Sequence, residues 1–364
     1  MLIELHVLQN FAPSNLNRDD TNTPKDCEFG GVRRARISSQ CLKRAMRWSP
    51  AFRQATQAEN GTRTRWITKR FIEELQKSGK TPEEAAKLAN DLAAAYAGKM
   101  EKDKKTNLPY TSVLFYYSPE EVSLLVNGLV SGKPIDDIAK EMVKSSNNRT
   151  SAPDIALFGR MLANDPRLNL DAACQVAHAI STHRVNMDMD FFTAVDDLNS
   201  EEDTGAGMMG VLAFNSACFY RYSCVDWNKL LANLHGDVEL ANRTIEGFLR
   251  ASVAAIPTGK QNSSAAQNMP SLLLAVVRHT GQAFSLANAF ETPVTPKREG
   301  GYVAASAEKL EQYWQAISKI FGTRGVTPVA LAIDPAIELN ILKPAACDTL
   351  EGWVTGVRRA MEAG

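Results

Sequence analysis

Arg33-Arg34-Ala35-Arg36-Ile37-Ser38-Ser39-Gln40-Cys41-Leu42-Lys43-Arg44-Ala45-Met46-Arg47-Trp48 joins a basic run to a helix start. A serine hydroxyl can accept a backbone N–H that the first turn of a helix leaves without a partner, so Ser38-Ser39 read as caps. Gln40 to Trp48 then predicts a short helix, ended by Pro50. At the helical period Leu42, Ala45 and Met46 share one side, and Gln40, Lys43, Arg44 and Arg47 the other. From Phe29 to Ala58 the chain has no acidic residue, while Arg33, Arg34, Arg36, Lys43, Arg44, Arg47 and Arg53 all fall inside that window. Cations beside a helix N-terminus suit a phosphate, because the dipole and the free N–H groups there favour negative charge. The helix alone leaves two readings open, a solvated amphipathic face and a phosphate site. The acid-free window favours the second.

Upstream, Leu2-Ile3-Glu4-Leu5-His6-Val7-Leu8-Gln9 reads as a strand, followed by a long polar loop from Ala12 to Val32. Downstream, from about Gln54 to Lys144, helix signals dominate. Thr81-Pro82-Glu83-Glu84 opens one helix through Ala97, and Pro119 and Pro134 open two more. Lys99 to Asn107 reads as a charged linker, so the whole region is expected to be a helical insertion. Strand signals return at Cys174–Val185 and Ser216–Tyr222, with a long hairpin expected between Asn186 and Gly210. Helices are expected at Trp227–Leu234, Leu240–Ala255 and Ala307–Ile320, and from Thr349 onward. The apolar run Leu272–Val277 and the stretch Pro328–Ile333 read as strands. Strands interleaved with helices and broken by insertions predict a mixed α+β sheet.

The 364 residues are 44% hydrophobic and 23% charged, an ordinary globular composition. Net charge is zero, so any polyanion site must come from local charge rather than from the molecular field. Acidic residues gather elsewhere, at Asp188, Asp190, Asp196, Asp197, Glu201, Glu202 and Asp203. One basic and one acidic surface suit an anion on the first and a second copy of the chain on the second. The six cysteines contain no Cys-x-x-Cys pair, which points to reduced thiols and a cytoplasmic setting. The start has no signal-peptide pattern, and no run reaches the roughly 20 apolar residues of a membrane span.

Asp190-Phe191-Phe192-Thr193-Ala194-Val195-Asp196 sets two aromatics among acids, and in a strand the two rings point to opposite sides. Such a segment is either a strand buried on both faces or an apolar wedge that stacks on bases. Pro257-Thr258-Gly259-Lys260-Gln261-Asn262-Ser263 lacks the spacing of a Walker loop, and an ordinary surface loop is the plainer reading. His178 and His183 have no Cys or Glu at ligand spacing, so no metal site is expected, and His6 reads as a core histidine. Neither a nucleophile elbow nor a dinucleotide fingerprint occurs, and no cofactor is implied.

The run His6-Val7-Leu8, Pro13-Ser14-Asn15-Leu16-Asn17-Arg18-Asp19-Asp20, Lys25-Asp26, Gly30-Gly31 and Arg33 through Arg47 closely resembles the CasC family. These are backbone subunits of the type I-E CRISPR Cascade surveillance complex. The likeness continues at Asp154–Met161, Ala177–His183, Phe192–Leu198, Phe219–Tyr222 and Leu286–Phe290. The resemblance implies a palm of RNA-recognition-motif (ferredoxin-like) type from residues 1–55, 171–187 and 213–364. Helical fingers would span 56–170 and a hairpin thumb 188–212. It implies a non-catalytic protein, six copies of which line up head to tail along the spacer of a CRISPR guide RNA. That filament would present the guide for pairing with a target DNA strand, alongside other Cascade subunits, and a recruited nuclease-helicase would destroy the DNA.

Carried across residue by residue, the resemblance assigns Arg18, Lys25, Ser38, Gln40, Lys43, Arg44 and Arg47 to the RNA grip of the palm. Met161 becomes a fingers contact to bases, and Phe191, Phe192 and Val195 the thumb wedge. Lys260, Gln261 and Asn262 become a loop beside the RNA. Holding the backbone without reading bases is what a variable guide requires. Two alternatives compete. One is an endoribonuclease using Asp19 or Asp20, since related backbone subunits of other CRISPR types cut RNA from that loop. The other is a metabolic enzyme on an α+β fold, against which the missing cofactor motif counts.

Overall fold

The first strand is longer than its pattern predicts. In the computed structural model, which describes residues 1–106, 108–146, 149–162, 166–194, 208–296 and 301–364, β1 spans Leu2–Ser14. Ile3, Leu5, Val7 and Leu8 are buried, and so are Glu4, His6 and Gln9. Buried polar groups are tolerable only when paired. Glu4 forms an ion pair with Arg278 and accepts the Tyr222 hydroxyl at 3.1 Å. The Tyr220 hydroxyl lies 2.9 Å from His6 Nδ1 and accepts the Leu286 N–H at 2.9 Å. Gln9 Oε1 accepts from Arg221 at 2.6 Å.

The loop expected from Ala12 to Val32 holds a hairpin. β2 (Asp26–Phe29) and β3 (Val32–Ile37) pair antiparallel across Gly30-Gly31. The two glycines have φ of 61° and 71°, the left-handed pair that a two-residue hairpin turn demands. α1 (Ser39–Trp48) follows. Pro50 then opens α2 (Pro50–Thr56) directly, because a proline at the first helical position forfeits no hydrogen bond.

Beyond α2 run β4 (Thr62–Thr64), α3 (Ile67–Lys77), α4 (Pro82–Ala97), β5 (Met100–Lys102), β6 (Pro109–Thr111) and β7 (Phe115–Tyr117). Then come α5 (Pro119–Val130), α6 (Ile135–Ser146) and α7 (Pro153–Phe158). Thr81 with Glu84, and Ser118 with Glu121, close reciprocal capping boxes at α4 and α5. The region expected to be purely helical also contains two small ribbons, β4 with β7 and β5 with β6. The stretch read as a charged linker therefore starts as a strand, and Glu101 within it meets Arg65 at 3.0 Å. Phe71, Leu75, Leu92, Leu125 and Ile138 form the core beneath these helices.

The chain continues through β8 (Cys174–Val176), β9 (Ala179–Ser181), β10 (Asp188–Ala194) and β11 (Met208–Asp226), then α8 (Trp227–Asn233) and α9 (Val238–Ala254). α10 (Gln261–Ser264), β12 (Leu272–Arg278), α11 (Tyr302–Phe321), β13 (Val326–Ala332) and α12 (Leu350–Glu362) complete it. The main path of the large sheet is β13-β12-β1-β11-β9-β3-β2, and β10 pairs with β11. β12 is buried at every residue, antiparallel to β1 with Leu5 opposite Ala275 and to β13 with Ala275 opposite Val329. α11 lays Ala307, Leu310 and Trp314 into a core shared with Leu8, Leu272, Leu274 and Val276. Trp353 of α12 is fully buried and donates to the Val329 carbonyl at 3.0 Å.

Two units result, Met1–Ser49 with Val176–Cys224 and Leu249–Gly364, and Pro50–Gln175 with Val225–Phe248. Residues 225–248, expected with the palm, pack instead with the insertion. Asn233 donates to the carbonyls of Ala156 and Asp171, each at 2.9 Å, and Arg243 to that of Thr56 at 3.1 Å.

Burial holds His6 far below its ordinary range, at about 3, with Arg278 adding to the shift. The unfolded chain therefore takes up this proton below pH ~6.5 while the folded chain does not. Stability is complete above that pH and falls as pH drops from there toward 3, by about 1.4 kcal/mol per unit from this group. In thermal melts the stability of the wild type is expected to fall more steeply than that of His6→Gln as pH drops from 7 to 5. Parallel curves from pH 7 to pH 5 would contradict a neutral, buried His6.

Candidate nucleic-acid interface

The start of α1 is built by three separate segments. Four N–H groups at a helix start lack partners within the helix. Here the Ser38 N–H goes to Asn17 Oδ1 at 2.8 Å, the Ser39 N–H to His178 Nδ1 at 2.9 Å, and the Cys41 N–H to Ser38 Oγ at 3.3 Å. Gln40 is the one whose N–H has no partner among the described residues, and its side chain is exposed. The helix end thus offers an anion one donor, fewer than the sequence alone suggests. Ser38, assigned to the RNA grip, is buried and works as the cap that shapes the site.

His178 must carry its proton on Nε2, because Nδ1 accepts from Ser39. Burial, Arg36 and Lys25 hold its pKa below the usual imidazole range, which keeps it neutral and able to accept. Burial pushes the Cys41 thiol up, while Arg44 and Lys25 pull it back. Lys25, Arg36 and Arg44 therefore gather around the first turn of α1. Leu42 and Met46 are buried beneath it, with Gln40 and Arg44 exposed and Lys43 and Arg47 half-buried.

The basic window divides by role. Arg34 is fully buried and spends its guanidinium on carbonyls: Phe29 at 3.0 Å, Ser181 at 3.1 Å, Phe290 at 2.8 Å and Glu291 at 3.1 Å. It is a structural cation. Arg33 pairs with Asp26, and Arg36 donates to the Asp26 carbonyl at 3.1 Å. Arg18 is exposed and donates to Asn22 at 2.9 Å. Asp19 staples the same loop, accepting from the Thr21 hydroxyl at 2.8 Å and from the Thr21 and Thr23 N–H groups at 2.9 Å. The Thr21 bond is the main cause that lowers its pKa. Asp20 is exposed, and no group of three metal-ligating side chains is assembled among the described residues.

β10 and β11 form a ribbon in which Phe191 faces Val211, Phe192 faces Gly210 and Asp190 faces Leu212. Met189, Phe191, Met209 and Val211 share one face, and all are more than half exposed. Phe192, on the other face, lies over Gly210, where a Cβ would collide with its ring. Val195, the third wedge residue, and the acids Asp196, Asp197, Glu201, Glu202 and Asp203 lie outside the described residues. Asp188 and Asp190 are exposed.

The Lys260 loop comes against the end of β1. Gly259 is pressed on the Leu16 carbonyl so tightly that no side chain fits, and Lys260 adopts a left-handed φ of 50°. Gln261, expected beside RNA, instead donates to the Pro257 and Ala266 carbonyls at 3.0 and 3.3 Å, closing its own loop. Asn262 is exposed. Lys260 lines a cleft with Pro13, Asn15, Asp190 and Phe214.

Met161 belongs to the other unit and is 88% exposed. Its neighbours hold it there. Buried Arg160 bonds Glu121 at 2.7 Å and the Leu168 carbonyl at 2.8 Å, and the Leu162 N–H reaches Asn169 at 2.6 Å.

The sequence pattern of the CT1975-like proteins matches residues 3–350. The chain belongs to this family of Cas proteins. It is similar to a chain of a structure described as a CRISPR RNA-guided surveillance complex, pre-nicking, with 29% identity, a TM-score of 0.86 and 100% of both chains covered. A second similar fold comes from a CRISPR RNA-guided surveillance complex, at 24% identity and a TM-score of 0.76 over 100% of both chains. No curated protein matches in sequence. His178 and Asn17 are the members of the candidate site that sequence reading missed. Nothing local signals His178, which meets Ser39 across 139 positions of chain.

Proposed function

We propose that this Cas protein is a non-catalytic backbone subunit of a type I-E Cascade, of the CasC kind, which binds guide RNA. The observation that carries the reading is the basic surface at the start of α1, where Lys25 and Arg44 act on Cys41, Lys25 and Arg36 act on the His178 that holds the Ser39 N–H, and Gln40 is exposed. That arrangement takes a phosphate and reads no base. The full-length likeness to a chain of an RNA-guided surveillance complex supports it. In this reading the large sheet is an RNA-recognition-motif palm, the second unit the fingers and the β10–β11 ribbon the thumb. Copies assemble head to tail, six along one guide, in a filament whose length the RNA sets. The filament offers spaced bases to a target DNA strand, joins other Cascade subunits in the cytoplasm, and leaves cutting to a recruited nuclease-helicase. The engagement of the Asp19 carboxylate by Thr21 and Thr23 supports a structural task for that loop rather than RNA cleavage.

The test is the native particle. Its ultraviolet absorbance ratio is expected to report bound nucleic acid, its mass several copies of the chain per RNA, and the RNA is expected to stay intact in divalent metal. A nucleic-acid-free monomer would defeat the proposal.

A further inference from the structure

Between the ribbon and the Lys260 loop lies a cleft of about 210 Å³, large enough for part of one nucleotide. Its walls are chemically unlike. Leu212 and Phe214 supply apolar surface, Lys260 a cation, and Asp190 a carboxylate on the ribbon face opposite Phe191. Asn15, only 4% exposed, donates to the carbonyls of Asn22 and Ala213 at 3.0 Å each. Its Oδ1 is buried without a partner among the described residues. The cleft therefore presents one exposed acceptor, the Asp190 carboxylate, beside the Lys260 cation, with Asn15 Oδ1 buried in its wall.

A carboxylate in a site for a polyanion is costly unless it meets a hydroxyl or amine, since it repels phosphate. A base amine would make the site choose sequence, which a variable guide forbids. The sugar 2′-hydroxyl is the remaining donor, and it is the group that separates RNA from DNA. Resting on the RNA-binding reading above, we propose that this cleft seats one ribonucleotide of the bound strand. Lys260 meets its phosphate, and Asp190 accepts its 2′-hydroxyl, so that Asp190 is a specificity-determining residue for RNA over DNA.

The full chain is titrated with a single-stranded RNA, the DNA of the same sequence and the fully 2′-O-methylated RNA. Asp190→Ala is expected to weaken RNA binding about tenfold, the worth of one charge-assisted hydrogen bond, and to leave DNA binding unchanged. Wild-type protein should bind the methylated RNA as weakly as the variant binds RNA. Lys260→Ala should weaken RNA and DNA by equal factors. An Asp190→Ala variant that keeps the wild-type RNA-to-DNA ratio overturns the assignment, as does one that binds both more tightly because a repulsive charge is gone. Loss confined to adenine- or cytosine-rich RNA would instead mean base reading and overturn it too. In those cases RNA binding itself survives. Wild-type protein that binds no RNA would sink the proposed function as well, which keeps the two failures apart.

Discussion

Replacing Lys25 and Arg44 together by alanine is expected to weaken single-stranded RNA binding about thirtyfold, by the same factor for every sequence. Both cations act on Cys41 at the first turn of α1, yet neither belongs to the core. Their removal should leave the fold intact. A phosphate that no side-chain cation neutralises keeps its condensed counterions, so the slope of log affinity against log salt should flatten by about 1.4 for the pair. Anisotropy titrations at several salt concentrations and on unrelated sequences measure both quantities. A loss restricted to particular sequences would mean that these residues read bases. An unchanged slope would mean that they touch no phosphate.

Separating Phe191 from Phe192 gives the second large effect. Phe191 is 62% exposed on an apolar face with Met189, Met209 and Val211. A ring so placed is available to stack on a base, an interaction worth about 1–3 kcal/mol. In the assembled particle Phe191→Ala is expected to reduce capture of a target DNA strand at least tenfold. Guide RNA should stay bound within about twofold, because the contacts proposed to the RNA backbone lie at α1 and on the opposite face of the ribbon from Phe191. Phe192→Ala acts by another route. Its ring covers Gly210, so its loss leaves the ribbon without a cross-strand partner at that position and loosens Phe191 with it. Faster hydrogen exchange in residues 188–194 is expected for Phe192→Ala and not for Phe191→Ala. Equal loss of RNA and DNA binding in Phe191→Ala would remove the wedge role.

Much of this was legible locally. Helix starts announce themselves through short-range chemistry, and the caps at Ser38, Thr81, Ser118 and Thr349 all stand where serine or threonine precedes a helical pattern. The opposition of Phe191 and Phe192 follows from the strand period alone. Glycine-rich turns were harder, because Gly30-Gly31 sits in a polar stretch whose flanks lack clear alternation. The ribbon of β5 and β6 was hidden for a similar reason, since a lysine-rich strand of three residues has no apolar signature.

The candidate site divides along the same line. A basic window and a capped helix are properties of adjacent residues, so the sequence alone determined that cations cluster near Gln40, and that two rings oppose each other in the ribbon. Which cations face solvent is a matter of tertiary packing. Arg34 looks like its neighbours in the sequence, yet it is buried because one carbonyl of its own hairpin and three from two distant segments converge on it. The folded chain likewise brought His178 to Ser39, set Asp190 across a cleft from Lys260 and joined residues 225–248 to the insertion. Hydrogen bonds and burial depend on groups far apart along the chain, and no local pattern of residue types encodes who those partners will be.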